Sequence, residues 1–350
     1  MPERWLDPGI AGLRAELCQV QSTGEEFALL FGTHAGDVAR LERRILLSPL
    51  LAKQLAATLA NLARDPNATP AGGTECAASD ADAPAGARHM LGLVRALGVG
   101  FGFEKSFKLS PGSVQDERVI LGVRPERAPR EALLRICREL GMPKAQLEQF
   151  EARLPEANTV GFGFEGGREG GAYKVYLEFW DRVVERVRRE PSKPAPQLLF
   201  LGYKWPAGGG RSSGPLALAE YTCHPLLAVE AIARRLAALY PRDSPSLAAA
   251  QEILQLAAAR LGANDSFVYV EAAEEGNPRR SFDLNFYKAG LRVADLRVPL
   301  SRLCEKYSIP SARLESLLGE SAARPFGHLS GGLGREGEDF LTVYYEIEGL

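Results

Sequence analysis

Two stretches of this 350-residue sequence match each other closely, and their shared pattern is the main guide to its architecture. The first copy reads RICRELGMPKAQLEQF at 135–150 and VGFGFEGGREGGAYKVYLEF at 160–179; the second reads RLCEKYSIPSARLESL at 302–317 and HLSGGLGREGEDFLTVYYEI at 328–347. A cysteine, a proline, a Gly-Arg-Glu-Gly turn and a Val-Tyr-x-Glu strand recur in the same order. This agreement predicts a tandem duplication. A repeat has to be recognised before a fold is assigned, because each copy should fold in the same way.

The two halves meet at a short proline-rich link, EPSKPAP at 190–196. We therefore predict a first half over 1–190 and a second half over 191–350, which close together into one barrel. The segment 65–88 contains no aromatic residue and is dominated by Ala, Gly, Pro and Asp. It cannot bury enough apolar surface to offset the entropy lost on ordering, so it is predicted to be a flexible loop.

Alternating or aromatic-rich runs occur in pairs separated by turn residues, which is typical of β-hairpins. Six hairpins are predicted, near 17–47, 99–123, 158–179, 197–223, 266–287 and 326–347. Between them, apolar residues at helical spacing predict helices at 50–64, 130–140, 226–240, 247–261 and 300–307. An open sheet of this size leaves unpaired edges that closure removes. The predicted fold is α+β: a barrel of roughly 10 to 12 antiparallel strands, with helices outside and a chamber inside.

Composition excludes several classes of protein. Lysine and arginine (42) nearly balance aspartate and glutamate (44), for a net charge of −2, so the clustered positive charge of a nucleic-acid-coating protein is missing. No apolar run approaches the roughly 20 residues that span a bilayer, and residues 1–12 lack the pattern of a signal peptide. The five cysteines and four histidines are scattered. These features predict a cytoplasmic protein with free thiols, no metal site and no membrane or nucleic-acid partner.

One strand carries a resemblance to a known family. In the run YKVYLEF at 173–179, Lys174 and Tyr176 alternate to one face while Val175 and Leu177 take the other. This strand, together with the succession of hairpins and helices, resembles the aromatic prenyltransferases of the ααββ barrel, whose Lys-x-Tyr strands hold a diphosphate. Like that family, the chain lacks an Asp-Asp-x-x-Asp motif. The resemblance implies transfer of a prenyl group from a prenyl diphosphate to an aromatic acceptor inside the barrel, in secondary metabolism.

The resemblance and the strand alternation together imply a set of site residues. Cations and phenols would hold the diphosphate, aromatic rings would shield the allylic cation, and a carboxylate would take the proton lost from the acceptor. The expected bases are Glu178 and Glu346. The expected substrate-binding residues are Lys174, Tyr176, Lys204, Asp283, Asn285 and Tyr344. The expected ligands are a prenyl diphosphate and a small aromatic or peptide acceptor, with no resident cofactor beyond Mg²⁺ arriving with the diphosphate.

A second interpretation from another class stays open. Alternation alone also produces Lys-x-Tyr-x-Glu on a solvated sheet face, which fits a non-catalytic binding or scaffold protein that assists a biosynthetic or peptide-modifying enzyme. The repeated Gly-Phe-Gly-Phe-Glu at 100–104 and 161–165 is not followed by the helix that a phosphate-binding loop needs, so its glycines indicate close approach of chains. Three or more cations converging inside the barrel favour the enzyme; a chamber filled by Phe, Leu and Tyr favours the scaffold.

Overall fold

The structure is a computed structural model. It describes residues 17–22, 27–35, 38–47, 83–167, 170–208, 217–261, 266–274, 277, 280–334 and 336–348; for 17–47, Ala217 and Glu348 it describes the backbone alone. Contacts divide the chain into two compact units. One unit comprises Met1–Ala71 with Gly262–Asp265, and the other comprises Gly72–Leu261 with Ser266–Leu350.

The smaller unit contains a three-stranded antiparallel sheet. Its strands are β1 (Leu17–Ser22), β2 (Phe27–Ala35) and β3 (Val38–Leu47), in the order β1-β2-β3. The prediction of one hairpin near 17–47 that joins the barrel is therefore wrong. The run contains two turn sequences, Thr23-Gly24 and Gly36-Asp37, so it divides into three strands, which pair with one another among the described residues.

The larger unit contains a closed antiparallel barrel of ten strands, which confirms the predicted fold class. Five of the six predicted hairpins build it, so the strand number is at the lower end of the expected range. Around the barrel the order is β10-β11-β12-β13-β4-β5-β6-β7-β8-β9. The strands are β4 (Phe101–Ser110), β5 (Ser113–Val123), β6 (Thr159–Glu165), β7 (Ala172–Glu178), β8 (Gln197–Pro206), β9 (Ala217–His224), β10 (Val268–Glu274), β11 (Arg280–Asn285), β12 (Phe326–Leu333) and β13 (Asp339–Glu348).

Helices follow the hairpins, as predicted. Those described are α1 (Arg88–Arg95), α2 (Arg130–Glu139), α3 (Lys144–Arg153), α4 (Trp180–Arg189), α5 (Val229–Leu239), α6 (Pro245–Ala258), α7 (Arg297–Lys306) and α8 (Ser311–Ser321). Helices α2, α5, α6 and α7 confirm four of the predicted segments, and the fifth, 50–64, lies outside the described residues. Short 3₁₀ turns add Ala85–Ala87, Pro125–Arg127, Leu154–Glu156, Tyr287–Ala289 and Val293–Leu296.

The core lies between the outer face of the barrel and the helices. In β7, the buried side chains of Tyr173, Val175 and Leu177 pack in one cluster with Cys137 of α2 and Phe150 of α3. A second cluster joins the outward faces of β11 to β13 to helices α5 to α8. The three intervening side chains of β7 face the barrel interior instead: Lys174, Tyr176 and Glu178. The period of two in this strand therefore separates core from chamber.

The connections match the predictions in part. The link 190–196 joins α4 to β8. Of the predicted flexible loop 65–88, residues 65–82 lie outside the described part. Residues 83–88 are ordered: Ala83 and Ala87 are buried, and a 3₁₀ turn leads into α1. The prediction is wrong for these six residues, because their alanines pack into the core. No helix in the described ranges is long and apolar enough to cross a membrane.

The two segments that the sequence predicts to be copies of each other end their first helix in the same way. Gly141 after α2 and Ser308 after α7 both have left-handed backbone, with φ of 75° and 54°. The next residue in each copy donates its N–H to the carbonyl of the matched cysteine, Cys137 or Cys304, at 2.9 Å. This is the backbone geometry of a helix that ends in a Schellman motif.

Because a left-handed residue other than glycine costs about 1–2 kcal/mol, replacing Ser308 by glycine (S308G) should raise the free energy of unfolding by about 1 kcal/mol. The reciprocal change Gly141→Ser should lower it by a similar amount. Urea unfolding of both variants measures the effect, and a loss of stability in S308G would contradict this account of the turn.

Candidate functional site

The strand register places every predicted site residue on the inner face of the barrel. Lys174 lies beside Lys204 across β7 and β8, and Asp283 lies beside Ser330 across β11 and β12. Side chains alternate along a strand, so the neighbours two residues away share the same face. The remaining predicted residues on that face are Tyr176, Glu178, Asn285, Tyr344 and Glu346.

Three cations converge on one carboxylate in the chamber. The Glu165 carboxylate forms ion pairs with Arg118 Nη1 at 2.5 Å, with Lys204 Nζ at 2.6 Å, and with Lys174. Arg118 is also held by Ser106, whose Oγ accepts from its Nε at 3.2 Å. Side-chain exposure is 8% for Arg118, 14% for Lys174 and 37% for Lys204. Three positive groups therefore surround one negative group, which leaves an excess of positive charge.

Burial and charge act against each other within this cationic cluster. Burial favours the neutral form of Glu165, but Arg118, Lys174 and Lys204 outweigh it and hold the pKa of Glu165 well below its usual range. Lys174 behaves in the opposite way. Burial, together with the positive charges of Lys204 and Arg118, brings the pKa of Lys174 well below its usual value in spite of Glu165. A further anion beside Lys174 would raise its pKa, as Glu165 does, and so favour its charged form while it relieves the repulsion among the three basic groups.

A second cluster, in which carboxylates predominate, lies toward the other end of the strands. His328 Nδ1 is 3.0 Å from Asp283 Oδ1, and His328 Nε2 is 3.8 Å from Glu104 Oε1. The Tyr287 hydroxyl donates to Glu104 from the 3₁₀ turn after β11. Glu346 is the cross-strand neighbour of Glu104. We call Glu104, Glu178, Asp283, Glu346 and His328 the acidic cluster.

Charge interactions tune the protonation of this cluster. Burial opposes the charged form of His328, but Asp283 and Glu104 prevail and raise its pKa to about 9, so the imidazole is protonated at neutral pH. Burial raises the pKa of Glu178, against the lowering effects of Thr159 and His328. A carboxylate with a raised pKa is a better proton acceptor, which suits a general base.

Aromatic rings line the wall between the two clusters. The Tyr176 and Tyr221 rings meet edge to face with centroids 5.9 Å apart, and Phe200 packs on Tyr221 at 6.0 Å. Tyr344 of β13 is the cross-strand neighbour of His328 of β12, and the centroids of their rings are 6.2 Å apart. Burial raises the pKa of Tyr176 well above its usual value, so it stays a neutral phenol and hydrogen-bond donor. These ring faces can stabilise a transient cation.

Part of the interior is apolar and filled. Val183 of α4 packs with Leu199, Cys223 and Val270, of which Cys223 and Val270 are cross-strand neighbours on the inward faces of β9 and β10. This cluster closes one region of the barrel and leaves the charged and aromatic surfaces to form the site.

Several inward residues were missed from the sequence: Glu104, Arg118, Glu165, Tyr287 and His328. One signal could have found two of them, because both copies of Gly-Phe-Gly-Phe-Glu end in a chamber glutamate, Glu104 and Glu165. In the second copy the phenylalanines are buried outward, and a Cβ atom added at Gly161 or Gly163 would lie 3.4 Å from the Cβ of Tyr176 or Lys174. That distance is an ordinary van der Waals contact, so the side chains of β7 do not by themselves require glycine at these two positions.

No group of three or more His, Cys, Asp or Glu side chains within the described ranges is arranged to hold a metal ion. The positive groups that the structure places in the chamber beside Glu165 are side chains: Arg118, Lys174 and Lys204.

Several solved structures are similar to this chain. One is the 5-dimethylallyltryptophan synthase from Streptomyces coelicolor, with 18% identity and a TM-score of 0.46, covering 70% of this chain and 80% of that one. Another is NotF in complex with brevianamide F and DMSPP, with 15% identity and a TM-score of 0.43, covering 71% and 80%. A third is AnaPT from Neosartorya fischeri, with 14% identity and a TM-score of 0.43, covering 71% and 79%.

No protein-family model and no curated protein matches the sequence. The closed ten-stranded barrel, with hairpins and helices in alternation, agrees with the topology that the resemblance to the aromatic prenyltransferases implied.

Proposed function

We propose that this protein transfers a prenyl group from a prenyl diphosphate to an aromatic acceptor inside the barrel. The observation that carries the proposal is the convergence of Arg118, Lys174 and Lys204 on one point beside an aromatic wall. A leaving diphosphate needs several fixed cations, and positive groups preorganised in a closed chamber act more strongly there than in water. The same convergence disfavours the scaffold interpretation, because burying several cations is costly and a scaffold would gain no function from them.

Along the inner face of β7, the residues proposed to bind the diphosphate come first and the proposed base comes last. Lys174 and Tyr176 would bind the diphosphate. Glu178 is four residues beyond Lys174, which is about 14 Å along the strand at roughly 3.4 Å per residue. That length accommodates a phosphate, an allylic carbon and an aromatic ring. Lys204 and Arg118 would share the diphosphate charge, while the phenol of Tyr344 faces the same space.

In the proposed reaction, the bond between C1 of the prenyl group and the diphosphate oxygen breaks, and its electron pair leaves with the diphosphate. The allylic cation forms beside Tyr176 and Tyr221, whose π electrons stabilise it. An acceptor atom donates an electron pair to C1 to form the new bond. The proton that this atom loses passes to a carboxylate, for which we propose Glu178, with Glu346 as the second candidate.

The cationic cluster also bears on the cofactor, and the cysteines bear on the location. Three side-chain cations supply the charge neutralisation for which many phosphate sites use Mg²⁺, so we propose transfer without a resident cofactor and without a requirement for Mg²⁺. The acceptor is a small aromatic molecule or an aromatic side chain of a peptide, as in secondary metabolism. The buried thiols of Cys137, Cys223 and Cys304 suit a reducing cytoplasm.

The test is calorimetric titration of the full chain with dimethylallyl and geranyl diphosphate, in the presence of EDTA. Binding should survive the chelator and fall at least tenfold in Lys174→Ala, since charge-assisted hydrogen bonds contribute about 1.5–3 kcal/mol each. Lys288→Ala is the control, because Lys288 is exposed on the 3₁₀ turn after β11. Equal affinity in the wild-type protein and in Lys174→Ala would exclude this diphosphate site, and absence of any binding would return the scaffold interpretation.

A further inference from the structure

The cationic cluster holds too little positive charge for a whole diphosphate. When Arg118, Lys174 and Lys204 are all protonated, they exceed Glu165 by two positive charges. A phosphate group that carries one ester bond has a charge of about −1.5 to −2 at neutral pH, so this excess matches one phosphate. The second phosphate of a prenyl diphosphate adds negative charge that the cluster does not balance. A further cation on the same side of the chamber would complete the site.

One further basic residue, Lys108, lies on the inner face of the barrel. Its strand neighbours Phe107 and Leu109 are buried in the cluster between the barrel and the helices, so the alternation of β4 turns Lys108 inward. Its cross-strand neighbour on β13 is Thr342. The lysines and arginines that the ten described barrel strands turn inward are Arg118, Lys174, Lys204 and Lys108.

Lys108 is adjacent to the cationic cluster along β4. The preceding inward residue of that strand is Ser106, whose Oγ accepts from Arg118 Nε at 3.2 Å. Successive side chains on one face of a strand are about 7 Å apart, a separation that the long side chain of a lysine can largely cover. A ligand bound at Arg118 that extends by one phosphate group toward β4 therefore meets Lys108.

An aromatic ring holds the ammonium of Lys108 inside the barrel. Its Nζ lies 4.3 Å from the centroid of the Phe340 ring. Phe340 is buried and shares the inner face of β13 with Thr342. Attraction to a ring face is generally weaker than a charge-assisted hydrogen bond to a phosphate oxygen. The ring therefore keeps the charge in the chamber and can yield it to an anion.

We propose that Lys108 binds the terminal phosphate of the prenyl diphosphate and thereby selects a diphosphate over a monophosphate. This inference rests on the proposed function, because it extends the same anion site by one residue. An ammonium has three N–H donors on a flexible stem, which suits a phosphate group that can rotate. The first phosphate would stay with Arg118, Lys174 and Lys204.

The position of Lys108 also sets the direction of the donor. The aromatic wall of Tyr176 and Tyr221 lies on β7 and β9, whereas Lys108 lies on β4, on the other side of the cationic cluster in the strand order. The phosphate that carries the prenyl group would therefore face the wall, and the terminal phosphate would face Lys108. A fixed cation at the terminal phosphate stabilises the negative charge that develops as the diphosphate leaves.

The test is calorimetric titration of the full chain with inorganic pyrophosphate and, separately, with orthophosphate. In Lys108→Gln the affinity for pyrophosphate should fall about tenfold or more, since a charge-assisted hydrogen bond is lost, whereas the affinity for orthophosphate should stay unchanged. Lys108→Arg should keep most of the pyrophosphate affinity. Lys105→Gln is the matched control, because it removes the same charge from the outward face of β4, and it should change neither affinity.

A second variant guards against a purely structural effect. Lys108→Met keeps an unbranched apolar chain that can still pack on Phe340, and it should show the same selective loss for pyrophosphate. An equal loss for both anions in Lys108→Gln and Lys108→Met would overturn the role of Lys108 at the terminal phosphate. Unchanged pyrophosphate affinity in both variants would overturn it as well.

The variant Lys174→Ala, titrated in parallel, separates this inference from the proposed function. Pyrophosphate binding that is lost in Lys174→Ala but kept in Lys108→Gln would overturn the role of Lys108 and leave the diphosphate site standing. A wild-type protein that binds neither pyrophosphate nor orthophosphate would contradict the proposed function, and this inference with it.

Discussion

Replacing Glu165 by glutamine (E165Q) is expected to lower the free energy of unfolding by about 3 kcal/mol and to increase the stabilisation that added pyrophosphate gives, relative to the wild-type protein. Glu165 is the counter-ion of three cations in the chamber. Removal of one partner from a buried ion pair typically costs about 3–5 kcal/mol, and Lys204, at 37% exposure, places the effect at the low end. Urea unfolding at low ionic strength measures it.

The same variant should bind pyrophosphate more tightly, because the three cations no longer have an internal anion to satisfy. At a pyrophosphate concentration 100 times the dissociation constant, binding restores about 2.7 kcal/mol, which is most of the expected loss. Glu271→Gln is the matched control: Glu271 also pairs with an arginine, Arg235, at 2.8 Å, but on the outer face of β10. Its stabilisation by pyrophosphate should equal that of the wild-type protein, because the cationic cluster is unchanged. If E165Q were as stable as the wild-type protein with and without pyrophosphate, the cationic cluster would not be an anion site.

The inner face of β7 could be predicted because its chemistry is local. Lys174, Tyr176 and Glu178 alternate with apolar residues within one strand, so a period of two separates chamber from core. The same alternation in the matching strand, β13, allowed Tyr344 and Glu346 to be predicted as inward residues. These assignments depend on neighbours within the strand, and a closed barrel leaves only one interior for the polar face to meet.

The partners of these residues depend on long-range closure, which no local pattern encodes. Arg118 meets Glu165 because β5 pairs with β6 in one particular register. Tyr287 reaches Glu104 although 183 residues separate them, since the closure that joins β4 to β13 brings the two ends of the unit together. His328 had no acidic neighbour in sequence, and only pairing of β12 with β11 places Asp283 beside it. The error at 17–47 has a related origin, because alternation indicates strands but not the sheet that they join.

Replacing Glu178 by glutamine (E178Q) is expected to lower the rate of prenyl transfer by about 10²–10⁴-fold, the usual contribution of a general base. Diphosphate binding should stay unchanged, because Glu178 lies at the far end of β7 from Lys174. Single-turnover transfer to the acceptor, measured with saturating prenyl diphosphate, reports the loss, and calorimetry of diphosphate binding shows that the site is otherwise intact.

The pH profile distinguishes the two candidate bases. Glu178 accepts a proton only when it is ionised, and burial raises its pKa. The transfer rate of the wild-type protein should therefore fall as the pH decreases through that raised pKa, and E178Q should lose this acidic limb. Glu346→Gln is the matched control on the duplicate strand and should keep the limb. If the limb disappears in Glu346→Gln and persists in E178Q, the proton passes to Glu346, and the division of roles between the two halves is the reverse of the one proposed.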